Sequence, residues 1–127
     1  MSPAKPKILI VDDEVDICDM MSFTFQNYGY DSFVAYDTDE ALKLISQQEF
    51  DVVLSDIRMP KGGGIRLLEE IKKKNTKLPK VFLMTGYSDS PVDEALTKGA
   101  EEVFAKPMKI KEIVDKLSKS ISFQPKK

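Results

Sequence analysis

An open α/β sheet of five parallel strands, each followed by a helix, is the fold this sequence predicts. Three observations predict it. Short β-branched and leucine runs recur along the chain: Ile8 to Val11, Phe50 to Ser55, and Val81 to Met84. Between them lie stretches whose apolar residues repeat at helical spacing. No apolar run alternates cleanly with polar residues, as a strand with one wet face would. Uninterrupted apolar strands separated by helices imply crossover connections, and crossovers imply parallel pairing with helices on both faces.

The elements follow in order. Residues 1–6 carry two prolines and are expected to form an N-terminal tail. Ile8 to Val11 is the first strand, buried on both faces. After Asp12-Asp13-Glu14, the residues Ile17, Met21, Thr24 or Phe25, and Tyr28 mark a helix that Gly29 stops. Asp31 to Tyr36 is a weaker strand suited to a sheet edge. Asp37 or Thr38 caps a second helix, with Ala41, Leu42 and Ile45 facing the core. Phe50 to Ser55 is the second strongly buried strand, leading to Asp56. Gly62-Gly63-Gly64 connects it to a helix from about Ile65 to Lys73 that buries Leu68 and Ile71. Lys72-Lys73-Lys74 then meets the negative end of that helix.

Val81 to Met84 forms the next buried strand and ends at Thr85. Pro91 opens a short helix running to Lys98, which Gly99 closes. Glu102 to Ala105 is the last strand, ended by Lys106-Pro107. Ile110, Ile113, Val114, Leu117 and Ile121 define the clearest helix of all. Residues 122–127 form a C-terminal tail, of which Gln124-Pro125-Lys126-Lys127 is polar and expected to fray. The remaining 7–121 make one domain, which 127 residues can fold around a core without disulfides or a structural metal.

Composition narrows the function. A net charge of −2 argues against bulk affinity for nucleic acid or an anionic membrane. No stretch of 18 apolar residues offers a membrane span, and the start lacks the apolar segment of a signal peptide. The single cysteine, Cys18, cannot form an internal disulfide, which fits a cytoplasmic setting. Histidine is absent. That removes Ser–His and Cys–His triads and histidine metal sites, and any phosphohistidine must belong to another molecule.

Four polar positions stand at the ends of four strands: Asp12 with Asp13, Asp56, Thr85, and Lys106. In a parallel sheet these ends share one edge, where ligands bind. Each has a plainer reading. Asp12 and Asp13 would serve as helix caps, Asp56 and Thr85 as turn residues, and Lys106 as a solvated lysine. Together they describe one pocket. Three carboxylates repel one another unless a cation intervenes, and a hard ion such as Mg²⁺ takes oxygen ligands. With Asp12 and Asp13 holding the ion, Asp56 is placed to accept a phosphoryl group. Thr85 and Lys106 then supply donors to the transferred oxygens.

These residues, in this order and spacing, resemble the receiver domain of two-component response regulators. The matching pieces are Ile8-Leu9-Ile10-Val11-Asp12-Asp13-Glu14, Asp56-Ile57-Arg58-Met59-Pro60 with Gly64, Thr85-Gly86, Gly99-Ala100, and Lys106-Pro107. The resemblance implies a doubly wound, flavodoxin-like sheet of order 2-1-3-4-5. It implies Asp56 as phosphoacceptor, with Thr85 and Lys106 assisting. It implies Mg²⁺ held by Asp13, Asp56, the Arg58 carbonyl and, largely through water, Asp12. A cis bond before Pro107 is common in relatives. The implied partners are a sensor histidine kinase or histidine phosphotransfer protein and a downstream protein target. The switched surface would be the fourth helix, fifth strand and fifth helix, with room for a phosphorylation-dependent dimer. Such a domain promotes its own phosphorylation and dephosphorylation without being an enzyme on a separate substrate. Arg58 and Tyr87, each two residues past a site residue, stand where relatives tune phosphoryl lifetime.

One position departs from the pattern. Relatives commonly carry Tyr or Phe three residues before the lysine; here that residue is Val103, followed by Phe104. Either Val103 simply fills the strand, or the switch is weakened or carried by backbone shifts; amide chemical shifts over residues 88–106 that do not change with beryllofluoride would mean an uncoupled switch.

Three other readings compete. A degenerate receiver would act by binding alone, but the acidic pair, Asp56, Thr85 and Lys106 are all present. An aspartyl phosphohydrolase would want a second acid two residues after the nucleophile, where Arg58 stands. A flavin or dinucleotide site would need a glycine fingerprint after a strand, and Gly62-Gly63-Gly64 is followed by Ile65-Arg66 rather than the Lys-Ser or Lys-Thr of a phosphate loop. Met20, Met21 and Phe25 are expected to pack in the core or help to dock a donor's helix.

Overall fold

The computed structural model describes residues 5–60, 62–75, 77–86 and 92–126. Its elements alternate strictly: β1 (Lys7–Val11), α1 (Val15–Asn27), β2 (Asp31–Ala35), α2 (Thr38–Gln47), β3 (Val52–Asp56), α3 (Gly63–Lys74), β4 (Lys80–Thr85), α4 (Val92–Thr97), β5 (Glu102–Ala105) and α5 (Ile110–Ser120). The strands pair in parallel in the order β2-β1-β3-β4-β5. The chain winds outward from β1 to β2, then returns across β1 to β3 and continues the other way. The reversal leaves a crevice between the carboxyl ends of β1 and β3, where this class of sheet binds its ligands.

Side-chain alternation explains why the strands read as unbroken apolar runs. Ile8, Ile10, Val52, Leu54, Phe82, Met84 and Phe104 point to one face, where Cys18, Phe25, Val114 and Leu117 of α1 and α5 cover them. Leu9, Val11, Val53, Val81 and Leu83 point to the other, under Ala41, Leu67, Leu68, Ile71 and Ala95 of α2, α3 and α4. Both faces are buried, so both parities of the central strands β1, β3 and β4 are largely apolar, while the edge strands β2 and β5 are only partly buried.

Several boundaries moved by a residue or two. α1 stops where Gly29 adopts φ +104°, with Tyr30 N–H closing back onto the Phe25 carbonyl at 3.0 Å. Asp37, not Thr38, caps α2: its carboxylate accepts the Glu40 N–H at 2.7 Å. α3 begins at Gly63, two residues ahead of the expected start. Met21 and Phe25 are core residues, whereas Met20 and Phe23 are exposed on α1. Pro91 and Tyr87 lie outside the described residues.

The expectation of a frayed C-terminal end is overturned at Lys126, and Phe123 just before the frayed stretch is anchored as well. Phe123 packs edge-on against Tyr30, with ring centres 5.1 Å apart, and the Lys126 N–H donates to the Tyr28 carbonyl at 2.8 Å. Tyr30 itself bonds Ser118 of α5 at 2.7 Å in the core. One aromatic beside a polar tail is enough to anchor it when a buried ring offers a T-shaped contact.

Cys18 lies fully buried below the site, its thiol donating to the Ile10 carbonyl at 3.4 Å. Burial, helped by the charges of Asp12 and Asp19, pushes its pKa up to about 12. The native protein is therefore expected to leave Ellman's reagent unreacted at pH 8 over minutes, and to react at once in denaturant. Fast reaction of the native thiol would contradict this packing.

Candidate functional site

The sheet brings the strand-end residues to one place. Val11 of β1 is in register with Ser55 of β3, so Asp12 and Asp56 flank the crevice side by side. Thr85 is in register with Ala105, and the Lys106 N–H donates to the Thr85 carbonyl at 2.7 Å, which delivers the lysine to the same edge. Asp12 and Asp56 are buried, as is Thr85, while Asp13 is exposed. Carboxylate oxygens of Asp12, Asp13 and Asp56 all lie within 4.8 Å of one another.

The two oxygens of Asp56 have different partners. Oδ1 accepts the Arg58 N–H at 3.1 Å, and Oδ2 accepts from Lys106 Nζ at 2.9 Å. The first contact is the turn that the plainer reading of Asp56 anticipates. The second comes from a residue fifty positions away and needs the whole sheet. Lys106 Nζ also lies 3.8 Å from Asp12 Oδ2. Partial burial alone would lower the Lys106 pKa, but its hydrogen bond and charge pairing with Asp56, with Asp12 adding, outweigh this and raise it. The ammonium is thus held charged.

Asp12 is the strained member. Its Oδ1 accepts the Glu14 N–H at 3.0 Å, yet Glu14, not Asp12, is the residue at the start of α1. Burial, and then the neighbouring Asp56 charge, push its carboxyl above the usual range against the pull of that hydrogen bond. Its Oδ2 is buried with no hydrogen-bond partner among the described residues. A buried anionic oxygen left this way is costly. Three clustered carboxylates, one with a buried oxygen that has the Lys106 charge at 3.8 Å but no hydrogen bond, fit a hard, oxygen-seeking divalent ion such as Mg²⁺. Arg58 stands beside this group through its backbone, and its side chain is exposed.

The β3–α3 loop is shaped by glycine. Gly63 has φ +63°, and a Cβ there would fall 2.1 Å from the Ile57 carbonyl oxygen. A Cβ on Gly64 would fall 2.6 Å from the Asp56 carbonyl oxygen. Gly64 N–H instead donates to Ile57 O at 3.0 Å, closing the loop under the acceptor. Gly64→Ala is expected to cost about 1–3 kcal/mol through this overpacking, read as a lower denaturation midpoint at an unchanged slope. An unchanged midpoint would mean that the loop moves aside freely.

Two polar contacts here escape sequence reading. Ser55 Oγ donates to the Asp56 carbonyl at 2.9 Å, and its only signal is a hydroxyl inside an apolar run. Thr38 Oγ1 donates to the Gly63 carbonyl at 3.1 Å, and a threonine at a helix start gives no hint of that. Val103 is half-buried against the α2–α3–α4 layer. Phe104 faces the opposite layer, stacked on Phe82 at 5.9 Å with the rings 6° from parallel. The neighbouring aromatic is therefore no substitute for one at 103. The Lys106–Pro107 peptide bond is cis, and so is Leu78–Pro79.

Residues 8–118 match the response regulator receiver domain family. The chain belongs to that family. Solved receiver structures agree with it closely. A CheY-like receiver domain protein from Methanospirillum hungatei superposes with a TM-score of 0.86 at 28% identity, covering 93% of this chain and 94% of that one. The receiver domain of Francisella response regulator 1452 gives 0.80 at 34% identity, covering 92% and 99%. The Thermotoga maritima response regulator TrrA, solved in complex with Mg²⁺ and BeF, gives 0.80 at 33% identity, covering 90% and 97%. Among the described residues of this receiver domain, no helix is long and apolar enough to cross a membrane.

Proposed function

We propose that this receiver domain accepts a phosphoryl group on Asp56 from the phosphohistidine of a partner kinase or phosphotransfer protein. One Asp56 oxygen attacks phosphorus, an O–P bond forms, the N–P bond breaks, and the electron pair leaves with the donor imidazole. The ion pair of Lys106 with Asp56 Oδ2 is the observation that carries this reading, because it sets a fixed cation against the acceptor carboxylate. Arg58 N–H holds the other oxygen, which fixes the plane of the carboxylate. Thr85, buried at the end of β4, offers its hydroxyl as a further donor to the transferred group. Mg²⁺, when held by Asp12, Asp13, Asp56 and the Arg58 carbonyl, would neutralise charge so that an anionic donor can approach.

The same residues would let water remove the group, so the domain sets its own phosphoryl lifetime without turning over a separate substrate. The product is a change in a protein-binding surface on α4, β5 and α5, acting in the cytoplasm on a protein target, with a phosphorylation-dependent dimer as one form. Exposed Met20 and Phe23 on α1 suit the docking of a donor's helix.

Intact mass after incubation with acetyl phosphate tests the chemistry. A gain of one phosphoryl group with Mg²⁺, absent with chelator, is the expected result. No gain under either condition would return the domain to the class of modules that only bind.

A further inference from the structure

We infer that Thr38, on the first turn of α2, is a positioning residue for the acceptor loop. This inference rests on the proposed phosphoryl transfer to Asp56. Asp37 takes the capping role, so the Thr38 hydroxyl is free for another partner. Thr38 is fully buried, and its hydroxyl reaches across to the Gly63 carbonyl, 25 residues away, at 3.1 Å. Nearby, Arg66 of α3 pairs with Asp39 of α2 at 3.0 Å, but on the exposed side. The two contacts tie the first turn of α2 to the first turn of α3, and Thr38 makes the one that water cannot replace.

Gly63 is the far end of the loop that begins after Asp56. It lies against the Ile57 carbonyl, and Gly64 N–H bonds the same oxygen. Holding Gly63 therefore holds Ile57, and with it the Arg58 N–H that orients Asp56 Oδ1. The Lys106 contact to Oδ2 comes from β5 and does not depend on this clamp. Without the clamp the carboxylate would keep its cation and lose its fixed plane, a loss felt in the rate of transfer.

Thr38→Val keeps the shape and removes the donor; Thr38→Ser keeps the donor. Tyr30→Phe removes a buried hydroxyl contact to Ser118 on the other side of the sheet and serves as a control for general destabilisation. Two readouts are made: hydrogen exchange of the Arg58 and Gly64 amides in metal-free protein, and the phosphorylation rate with acetyl phosphate and Mg²⁺. Thr38→Val is expected to speed exchange at both amides about fivefold, the scale of one lost hydrogen bond, and to slow phosphorylation by about the same factor. Thr38→Ser is expected to restore both, and Tyr30→Phe to change neither. The inference is overturned if exchange at these amides is unchanged in Thr38→Val, or if Tyr30→Phe reproduces both effects. If the wild type takes no phosphoryl group, the functional reading fails by itself, and the amide exchange still decides whether Thr38 holds the loop.

Discussion

Asp56→Asn is expected to abolish the Mg²⁺-dependent mass gain entirely while leaving the fold intact. The amide has nearly the same shape and keeps an oxygen for the Arg58 N–H, so the loop contact at 3.1 Å survives. It lacks the negative charge and nucleophilicity of a carboxylate, so no acyl phosphate forms. Stability should change little, by about 1 kcal/mol in either direction, because two effects oppose. The 2.9 Å pairing with Lys106 is lost, because the amide N–H₂ that takes the place of Oδ2 cannot accept from an ammonium, and repulsion from Asp12 is relieved. Lys106 keeps Asp12 at 3.8 Å and is not left without a counter-charge. In the wild type the added group should be labile to hydroxylamine, as an acyl phosphate is and a phosphoserine is not. A mass gain that persists in Asp56→Asn would place the phosphoryl group elsewhere and end the proposed mechanism.

The second large effect is expected at Asp12. In metal-free protein Asp12→Asn should be the more stable form at neutral pH by about 1 kcal/mol, since relief of the buried charge outweighs the lost 3.8 Å pairing with Lys106. The Asn keeps an oxygen for the Glu14 N–H. The sign with pH follows from the raised carboxyl. A raised folded-state pKa means that folding favours the protonated acid. Its contribution is fully present below the ordinary 3.8 and is lost as pH rises through the higher folded value. The two proteins should therefore unfold alike at the acid end and diverge as pH increases. Mg²⁺ should reverse the order, since a ligand at a hundred times its Kd stabilises by about 2.7 kcal/mol. Thermal melts of both proteins from pH 4 to 8, with Mg²⁺ or chelator, provide the measurement. A wild type that melts at the same temperature with and without Mg²⁺ would show that the three carboxylates do not hold the ion.

Much of this protein is determined by local sequence. Each apolar run is long enough for one strand, each helical period is bounded by its own stop, and strict alternation leaves parallel pairing as the outcome. The candidate site was legible for the same reason. A residue that follows a buried strand of a parallel sheet must sit at its carboxyl edge, whatever the details of packing. Asp12, Asp13, Asp56, Thr85 and Lys106 could therefore be gathered without coordinates.

What tertiary structure alone decided are the contacts between elements far apart in the chain. Which Asp56 oxygen meets Lys106, and which meets Arg58, depends on the register of β3, β4 and β5. The early start of α3 rests on a left-handed Gly63 pressed against Ile57, which no periodicity encodes. The anchored tail depends on the T-shaped contact between Tyr30 and Phe123. Thr38 reads as a cap from its neighbours, and becomes a clamp only because α3 packs beside it with the Gly63 carbonyl facing its hydroxyl. Propensity and periodicity act over a few residues; hydrogen bonds across 25 or 50 positions exist only once the sheet has closed the distance.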